Sequence, residues 1–407
     1  MCFNISEERR DKSMKTGFFK RDVTPDRSCR MGGYDRKQKS TGVLDPIQVN
    51  YMSLEVNQKV MLFAMIDCIC LEKSFVEEIQ EEVSKIIGIA KHQIIISCIH
   101  THSAPCYFKL TFESVPAETA LTQNLKEQIK KDLLYCHQHM QTSTLQYETC
   151  MIDGLYGNRN VKDGWSDKSF HVLKFFHNNQ LIGSFVNIST HPTLLNGDNL
   201  LLSADLLGHV RNQLEEQLQA PVFISNGTCG DVSTRFYRDG HEDLDQIAHA
   251  ILQQYNQKKT TENITLDQCE LKDIAYDSTS DFKNDPIHLS IRKRIEADDT
   301  NPMKDLFLHK CDIKEAMGKF TLQLRSLIID YGNIMMITLP GDILSAFGKK
   351  IKAAFPNKIV IFICYSGNYC NYFVPEEEYG KYFETFNSRL QIGEADKFIQ
   401  KIINLAK

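Results

Sequence analysis

No stretch of the 407 residues approaches the roughly 20 apolar positions that a membrane-spanning helix needs. The opening MCFNISEERRDKSMKTGFF has no apolar centre of the kind a secretion signal carries. There is no long basic block, and a net charge of −5 with a pI near 6.2 leaves no electrostatic footprint for nucleic acid. The thirteen cysteines are scattered and form no Cys-x-x-Cys pair, which excludes a zinc clamp or a disulfide-exchange motif of that type. Reduced thiols in a cytoplasmic protein fit this usage. The Asn-x-Ser/Thr triplets at Asn4, Asn187, Asn226 and Asn263 then never meet a glycosylating enzyme. Internal repeats and low-complexity tracts are also missing.

What is present is a globular composition, 42% apolar, enough to bury one large core or two modest ones. The most informative segment is IIISCIHTHSAP. Ile94, Ile95 and Ile96 read as a short buried strand, and His100-Thr101-His102 falls where that strand should end. Imidazoles at a strand end are well placed for a metal, though a His-x-His pair equally describes two hydrogen-bonded structural histidines. Strand-like 60–67 is followed by a helical 74–88, whose Val76, Ile79, Val83, Ile86 and Ile87 approximate one face. A long helix follows Pro116. Further strands are expected at 169–176, 181–189, 221–225, 320–330, 333–339 and 358–364, and helices near 205–218, 241–256, 343–354 and 393–406. The alternation predicts an α/β fold, a mixed β-sheet core covered by helices. The polar text from about 257 to 315 reads as an irregular surface excursion. Candidate site residues lie on both sides of it, so a single catalytic domain is expected.

Four other segments repeat the pattern of an apolar strand running into chemically able residues. FVNISTHPT places His191 past a strand, and VFISNGTCGDVSTRFYRDG leads through a Gly-rich turn to Asp231, Ser233, Arg235 and Arg238. IMMITLPGDILSAFG presents Asp342, and IVIFICYSGNYCNYFVPEEEY presents Tyr365, Tyr369 and Tyr372. Singly, each has a plainer reading. Asp342 and Asp205 suit helix caps, Asp231 suits a turn, and the tyrosines suit half-buried aromatics. Ser233 lacks a Gly-x-Ser-x-Gly elbow. CHQHM (136–140) closes a charged helix and suits its dipole better than a metal. GHEDLD (240–245) lacks the second histidine of a zincin motif. PEEEY suits a solvated helix start.

Taken in order, these segments resemble the neutral ceramidase family, in its short, single-domain bacterial type. The resemblance starts just after Met14 and spans nearly the whole chain. It runs through DVTP, MGGY, IHTHSAP, YGNRN, THPT, SADLLG, NGTCGDVS, LPGD and GNYCNYFVPEEEY. It implies an N-terminal extension over 1–14 and a zinc hydrolase domain over 15–407, without a C-terminal immunoglobulin-like domain. It also implies a Zn2+ ion held by His100, His191, Asp342 and Tyr372, with Ser233, His102, Arg159, Tyr369 and Tyr382 around the reaction centre. Asp205 would support a metal-bound histidine from behind.

The implied activity is hydrolysis of an N-acyl, ceramide-like amide by metal-activated water, with Ser233 taking part as nucleophile or by positioning the carbonyl. His102 would donate to the oxyanion and Arg159 would orient a polar head group. The substrate would be a small N-acyl or lipid-like molecule. Two departures bear on this expectation. The family has Glu where this chain has Asp342, shorter by one methylene. STRFYRDG replaces a Ser-Pro-Asn segment and adds Arg235 and Arg238, which suit an anionic or sugar-like group. The competing readings are a zinc hydrolase of an ester or sugar-linked substrate, and a non-catalytic binding protein with a weakened metal site.

Overall fold

The computed structural model describes residues 14–234 and 243–406. Arg235, Arg238 and the first part of GHEDLD therefore lie outside the described residues. Three mixed sheets carry the fold. The first orders Ile94–Cys98, Lys59–Ile66, Gln48–Val56, Met14–Asp22 and Gln141–Thr142. The second orders Val222–Asn226, Gln180–Ile188, Ser169–His177, Thr144–Met151 and Thr260–Ile264. The third orders Glu270–Asp281, Lys319–Asp330, Ile334–Thr338 and Ile359–Ile363. One apolar cluster, from Met14 to Ala406, runs continuously between them. The α/β expectation holds, with its strands divided among three sheets rather than gathered into one.

Each sheet ends in one parallel pair. Lys59–Ile66 runs parallel to Ile94–Cys98, Gln180–Ile188 to Val222–Asn226, and Ile334–Thr338 to Ile359–Ile363. These pairs are buried on both faces along most of their length, so their sequences are predominantly apolar, with Ser97, Ser184, Asn187 and Ser225 among the buried polar exceptions. Parallel strands run in one direction, so their C-terminal ends come together. His100, His191, the 227–233 turn, Asp342 and Tyr365 all follow those ends.

Helices cover the outside. Lys73–Ile87 buries Phe75, Val76, Ile79 and Val83 and stops at Gly88 with φ +82°; Ile86, placed on the buried face by periodicity, is instead exposed at 68%. The 257–315 region is regular. Thr260–Ile264 joins the second sheet, and Glu270–Asp281 pairs along its whole length with Lys319–Asp330. Helices Pro286–Glu296 and Lys304–Ala316 form the hairpin between those two strands. Its polar text arises because the buried positions include His288, Lys310 and Lys314 beside Ile291, Ile295, Phe307 and Cys311, which breaks the apolar stripe. Among the described residues no helix is long and apolar enough to cross a membrane. Every described cysteine is free and buried.

Lys314 is 1% exposed, and its ammonium donates to the Thr385 carbonyl at 2.6 Å, tying the hairpin to the short helix Phe383–Phe386. Burial pushes its pKa down from 10.5 to about 7, with Cys311 and Asp285 opposing and Lys310 adding to the shift. Between about pH 7 and 10.5 the unfolded chain holds this proton more tightly than the folded one, so the Lys314 contribution to stability rises with pH. Denaturation of wild type and Lys314→Met across this range should show the stability difference moving in favour of wild type as pH increases. A difference independent of pH would refute the buried, depressed lysine.

Candidate metal centre

The strand Ile94–Cys98 ends before the histidine motif, and His100 takes φ +71°, in the left-handed region that non-glycine residues rarely occupy. The chain has therefore left strand geometry, and the alternation that would send His100 and His102 to opposite faces no longer applies. Both imidazoles turn to one side and meet His191. Ring centroids are 5.0 Å apart for His100 and His102, 4.8 Å for His100 and His191, and 5.3 Å for His102 and His191. One potential ligand atom from each of the three lies within 4.8 Å of the others, the only such metal-capable group among the described residues.

Each ring is oriented by a backbone carbonyl. His100 Nδ1 lies 2.5 Å from the Ile69 oxygen, His102 Nδ1 2.9 Å from the Gly33 oxygen, and His191 Nδ1 3.4 Å from the Cys229 oxygen. A carbonyl only accepts, so in these bonds Nδ1 carries the proton and Nε2 is left with a lone pair. His102 Nε2 is buried with no partner, an orphan that a metal or a substrate proton would satisfy. Burial holds all three imidazoles below their usual pKa, and the Arg159 charge pushes in the same direction. They are neutral at pH 7, the state that binds metals. The second glycine of MGGY is explained by packing. Gly33 has φ +97°, and a Cβ there would stand 2.5 Å from the His102 ring.

Asp342 is fully buried beside this group. Its Oδ1 is 3.3 Å from His100 Nε2 and 3.9 Å from His191 Nδ1. It is not a helix cap. It lies in a two-residue strand paired in parallel with Tyr372–Phe373, opposite Tyr372, and the helix begins only at Ser345. Two phenols hold its carboxylate, Tyr365 at 2.9 Å on Oδ1 and Tyr369 at 2.5 Å on Oδ2. Burial and the Asp342 charge raise both phenol pKa values, keeping them protonated donors. Tyr365, with φ +57°, also stacks on His100 at 4.2 Å.

Arg159 adjoins the same cluster. It pairs with Glu384 at 2.8 Å and donates to the Tyr372 hydroxyl at 3.2 Å. Burial opposes its charge, but Tyr372 and Glu384 outweigh burial and raise its pKa. Ser233 is buried in a two-residue ladder opposite Gly157, and the preceding Val232 carbonyl accepts the His191 N–H at 3.1 Å. Tyr382 is half-buried just before the Phe383–Phe386 helix and makes no side-chain hydrogen bond to the cluster among the described residues. Asp205 touches none of the three imidazoles. Its carboxylate accepts the N–H groups of Leu194 and Leu195 and so braces the loop after His191. Asp231 accepts from Asn158 and from both the N–H and hydroxyl of Ser345, which anchors a helix start to the ladder.

Glu384 is the site residue that motif reading did not supply, and the roles of Tyr365 and Asn226 show only in the fold. Glu384 is fully buried, a rare state for an unpaired carboxylate and thus a sign of a partner. Asn226 is read in the sequence as a glycosylation triplet and as the first residue of NGTCGDVS, with no role of its own. In the fold its side-chain amide donates to the carbonyls of Ile99 and Thr190, both at 3.1 Å, the residues immediately before His100 and His191. Its own carbonyl accepts the N–H of Cys364, the residue before Tyr365.

No protein-family model and no curated protein sequence matches the chain. Among solved structures, it is similar to neutral ceramidase from Pseudomonas aeruginosa, with a TM-score of 0.73 and 15% identity over 97% of this chain and 74% of that one. It is likewise similar to a ceramidase complexed with C2, with a TM-score of 0.73 and 16% identity over 97% of this chain and 75% of that one. The chain thus has the ceramidase fold over nearly its full length, and its three histidines could hold a metal ion there.

Replacing Asn226 with alanine should cost on the order of 2–4 kcal/mol, because two buried carbonyls lose their donor. It should also weaken metal binding at a site it does not touch. Chemical denaturation together with metal titration checks this, and unchanged metal affinity in a destabilised variant would contradict the positioning role.

Proposed function

We propose that the chain is a zinc-dependent amidohydrolase of the neutral ceramidase family, cleaving an N-acyl, ceramide-like amide. The observation that carries this reading is the convergence of three neutral imidazoles, each oriented by a backbone carbonyl, with the buried carboxylate of Asp342 beside two of them, His100 and His191. Imidazole nitrogen with carboxylate and phenol oxygen is a donor set suited to zinc, with room left for water. The ceramidase fold supports the choice of substrate class.

In this reading His100, His191, Asp342 and Tyr372 hold the ion. Bound zinc would supply a Lewis acid and make water nucleophilic near neutral pH. His102 stands beside the ion rather than on it. Its Nδ1–H is fixed on Gly33, so neutral Nε2 accepts a proton first and becomes a donor only afterwards. That order suits a general base for the attacking water, followed by a general acid for the leaving amine. Direct donation by neutral His102 to the oxyanion, the role implied by the sequence resemblance, is replaced by this sequence of proton transfers. Tyr365 and Tyr369 fix both oxygens of Asp342, which steadies the shorter carboxylate. Arg159, locked by Glu384, keeps a positive charge beside Tyr372 for a polar substrate group. Ser233 flanks the site and positions the scissile carbonyl, and Tyr382 contributes to its outer wall.

The test is metal content per chain, followed by fatty-acid release from an N-acyl sphingosine with and without a chelator. His100→Ala and His191→Ala should lose the metal. His102→Ala and Ser233→Ala should keep it, with His102→Ala losing about 10²–10⁴-fold in rate. Loss of metal from His102→Ala would move that residue into the coordination shell. No metal and no cleavage in wild type would sink the enzyme reading in favour of a binding protein.

A further inference from the structure

Nearly every strongly buried cation in the described structure has a partner. Arg211 pairs with Asp67, Lys174 with Glu148, Lys314 with a carbonyl, and Arg36 with four carbonyls. Lys310 does not. It is 7% exposed on the helix Lys304–Ala316, and its ammonium makes no hydrogen bond or ion pair with any described residue. It faces two aromatic rings instead, 5.2 Å from the centroid of Phe112 and 5.9 Å from that of Phe383. Those contacts offset only part of the cost of withdrawing an ammonium from water. All three N–H donors are left unused.

The two rings belong to segments that adjoin the histidine cluster. Phe383 lies 6.5 Å from the Tyr372 ring, and the helix it opens carries Glu384, the partner of Arg159. Phe112 belongs to the segment after the histidine motif. The next residue, Glu113, accepts the Gly33 N–H, and the Gly33 carbonyl holds His102. Burial pushes the Lys310 pKa down, opposed by the charges of Glu113 and Asp35, and neither carboxylate pairs with it. Burial and the Asp35 charge raise the Glu113 pKa to about 7, so it supplies only part of a counter-charge at neutral pH. A second underused cation borders the same segment. Arg389 donates from Nη1 to Thr111, and its Nε is buried without a partner.

We propose that Lys310, with Arg389 alongside, binds an oxyanion on the amine side of the substrate. The natural substrate is then an N-acyl compound whose head group bears a carboxylate or phosphate, rather than an uncharged sphingoid base. This rests on the amidohydrolase reading above. Water adds its hydroxyl to the acyl carbon, the carbon–nitrogen bond breaks, and the nitrogen takes the proton. The products are a fatty acid and an amine that still carries the anion at Lys310.

Three probes sharing one acyl chain provide the test: N-lauroylglycine, N-lauroyl phosphoethanolamine and neutral N-lauroylethanolamine, each measured by calorimetric binding and laurate release. Wild type should bind one or both anionic probes at least about tenfold more tightly than the neutral one, the scale of a charge-assisted hydrogen bond, and added salt should shrink the difference. The better anion identifies the head group as carboxylate or phosphate. Lys310→Met should collapse the anionic-to-neutral ratio, and Lys310→Arg should largely keep it. If Lys310→Met does not fold, the wild-type ratio and its salt dependence decide. Equal affinities, preference for the neutral probe, uniform weakening in Lys310→Met, or no binding of any probe would overturn the proposal. Binding with anionic preference but without hydrolysis would retain the anion site and remove the amidohydrolase reading. Hydrolysis led by the neutral probe would do the reverse.

Discussion

One buried amide fixes the geometry on which the centre depends. Asn226 ends the strand Val222–Asn226 and joins three chain segments at once. Its side chain holds the carbonyls before His100 and His191, and its backbone holds the amide before Tyr365. Those segments leave three different sheets. Without a common donor, each strand end would be free to shift by the ångström or so that separates a converging set of ligands from a diverging one. The surrounding strands are buried on both faces, so the movement of one is resisted by the packing of the next. The centre is thus placed by rigid sheets, while its histidines stand on short loops past the strand ends and Asp342 in a two-residue strand pair.

Electrostatics then decides what those side chains can do. Three imidazoles share the site with an arginine, and burial, with the Arg159 charge acting in the same direction, keeps the imidazoles neutral. The compensating charges are just as specific. Asp342 faces the histidines and Glu384 faces Arg159. Tyrosines bridge the two carboxylates' territories, with Tyr369 on Asp342 and Tyr372 against Arg159. The shorter carboxylate of Asp342 is therefore no loose end, because phenol donors fix both of its oxygens. Backbone strain is concentrated here as well. His100, Asp205, Tyr365 and Asn371 all adopt positive φ, and each sits in or directly behind the centre.

Much of this was legible in the sequence because the parallel strands are predominantly apolar and the reactive residues follow them within a few positions. The strand before His100 and those before His191 and Tyr365 agree with the structure to within about a residue or two, the usual scatter of element ends. The His-x-His pair could not reveal its own geometry. Strand alternation sends the two rings apart, and only the left-handed turn at His100 brings them together. The helical hairpin at Pro286–Glu296 and Lys304–Ala316 was hidden because lysines and a histidine occupy its inward positions. Those same misplaced charges tie the hairpin to the Glu384 helix through Lys314 and set Lys310 against the rings of Phe112 and Phe383. Glu384 carried no signal, and Asn226 stood at the head of NGTCGDVS without a role of its own, since a lone carboxylate or amide shows its value only when its buried partners are known.

Anomalous scattering at the zinc edge, from crystals grown with zinc, reads most directly whether these side chains converge on one cation. A single strong peak bonded to His100, His191 and Asp342, with the His102 ring beside it and its Nδ1 still on Gly33, is the expected result. No peak at the three histidines, or a peak held by residues elsewhere, would contradict the assignment of this cluster as the metal centre.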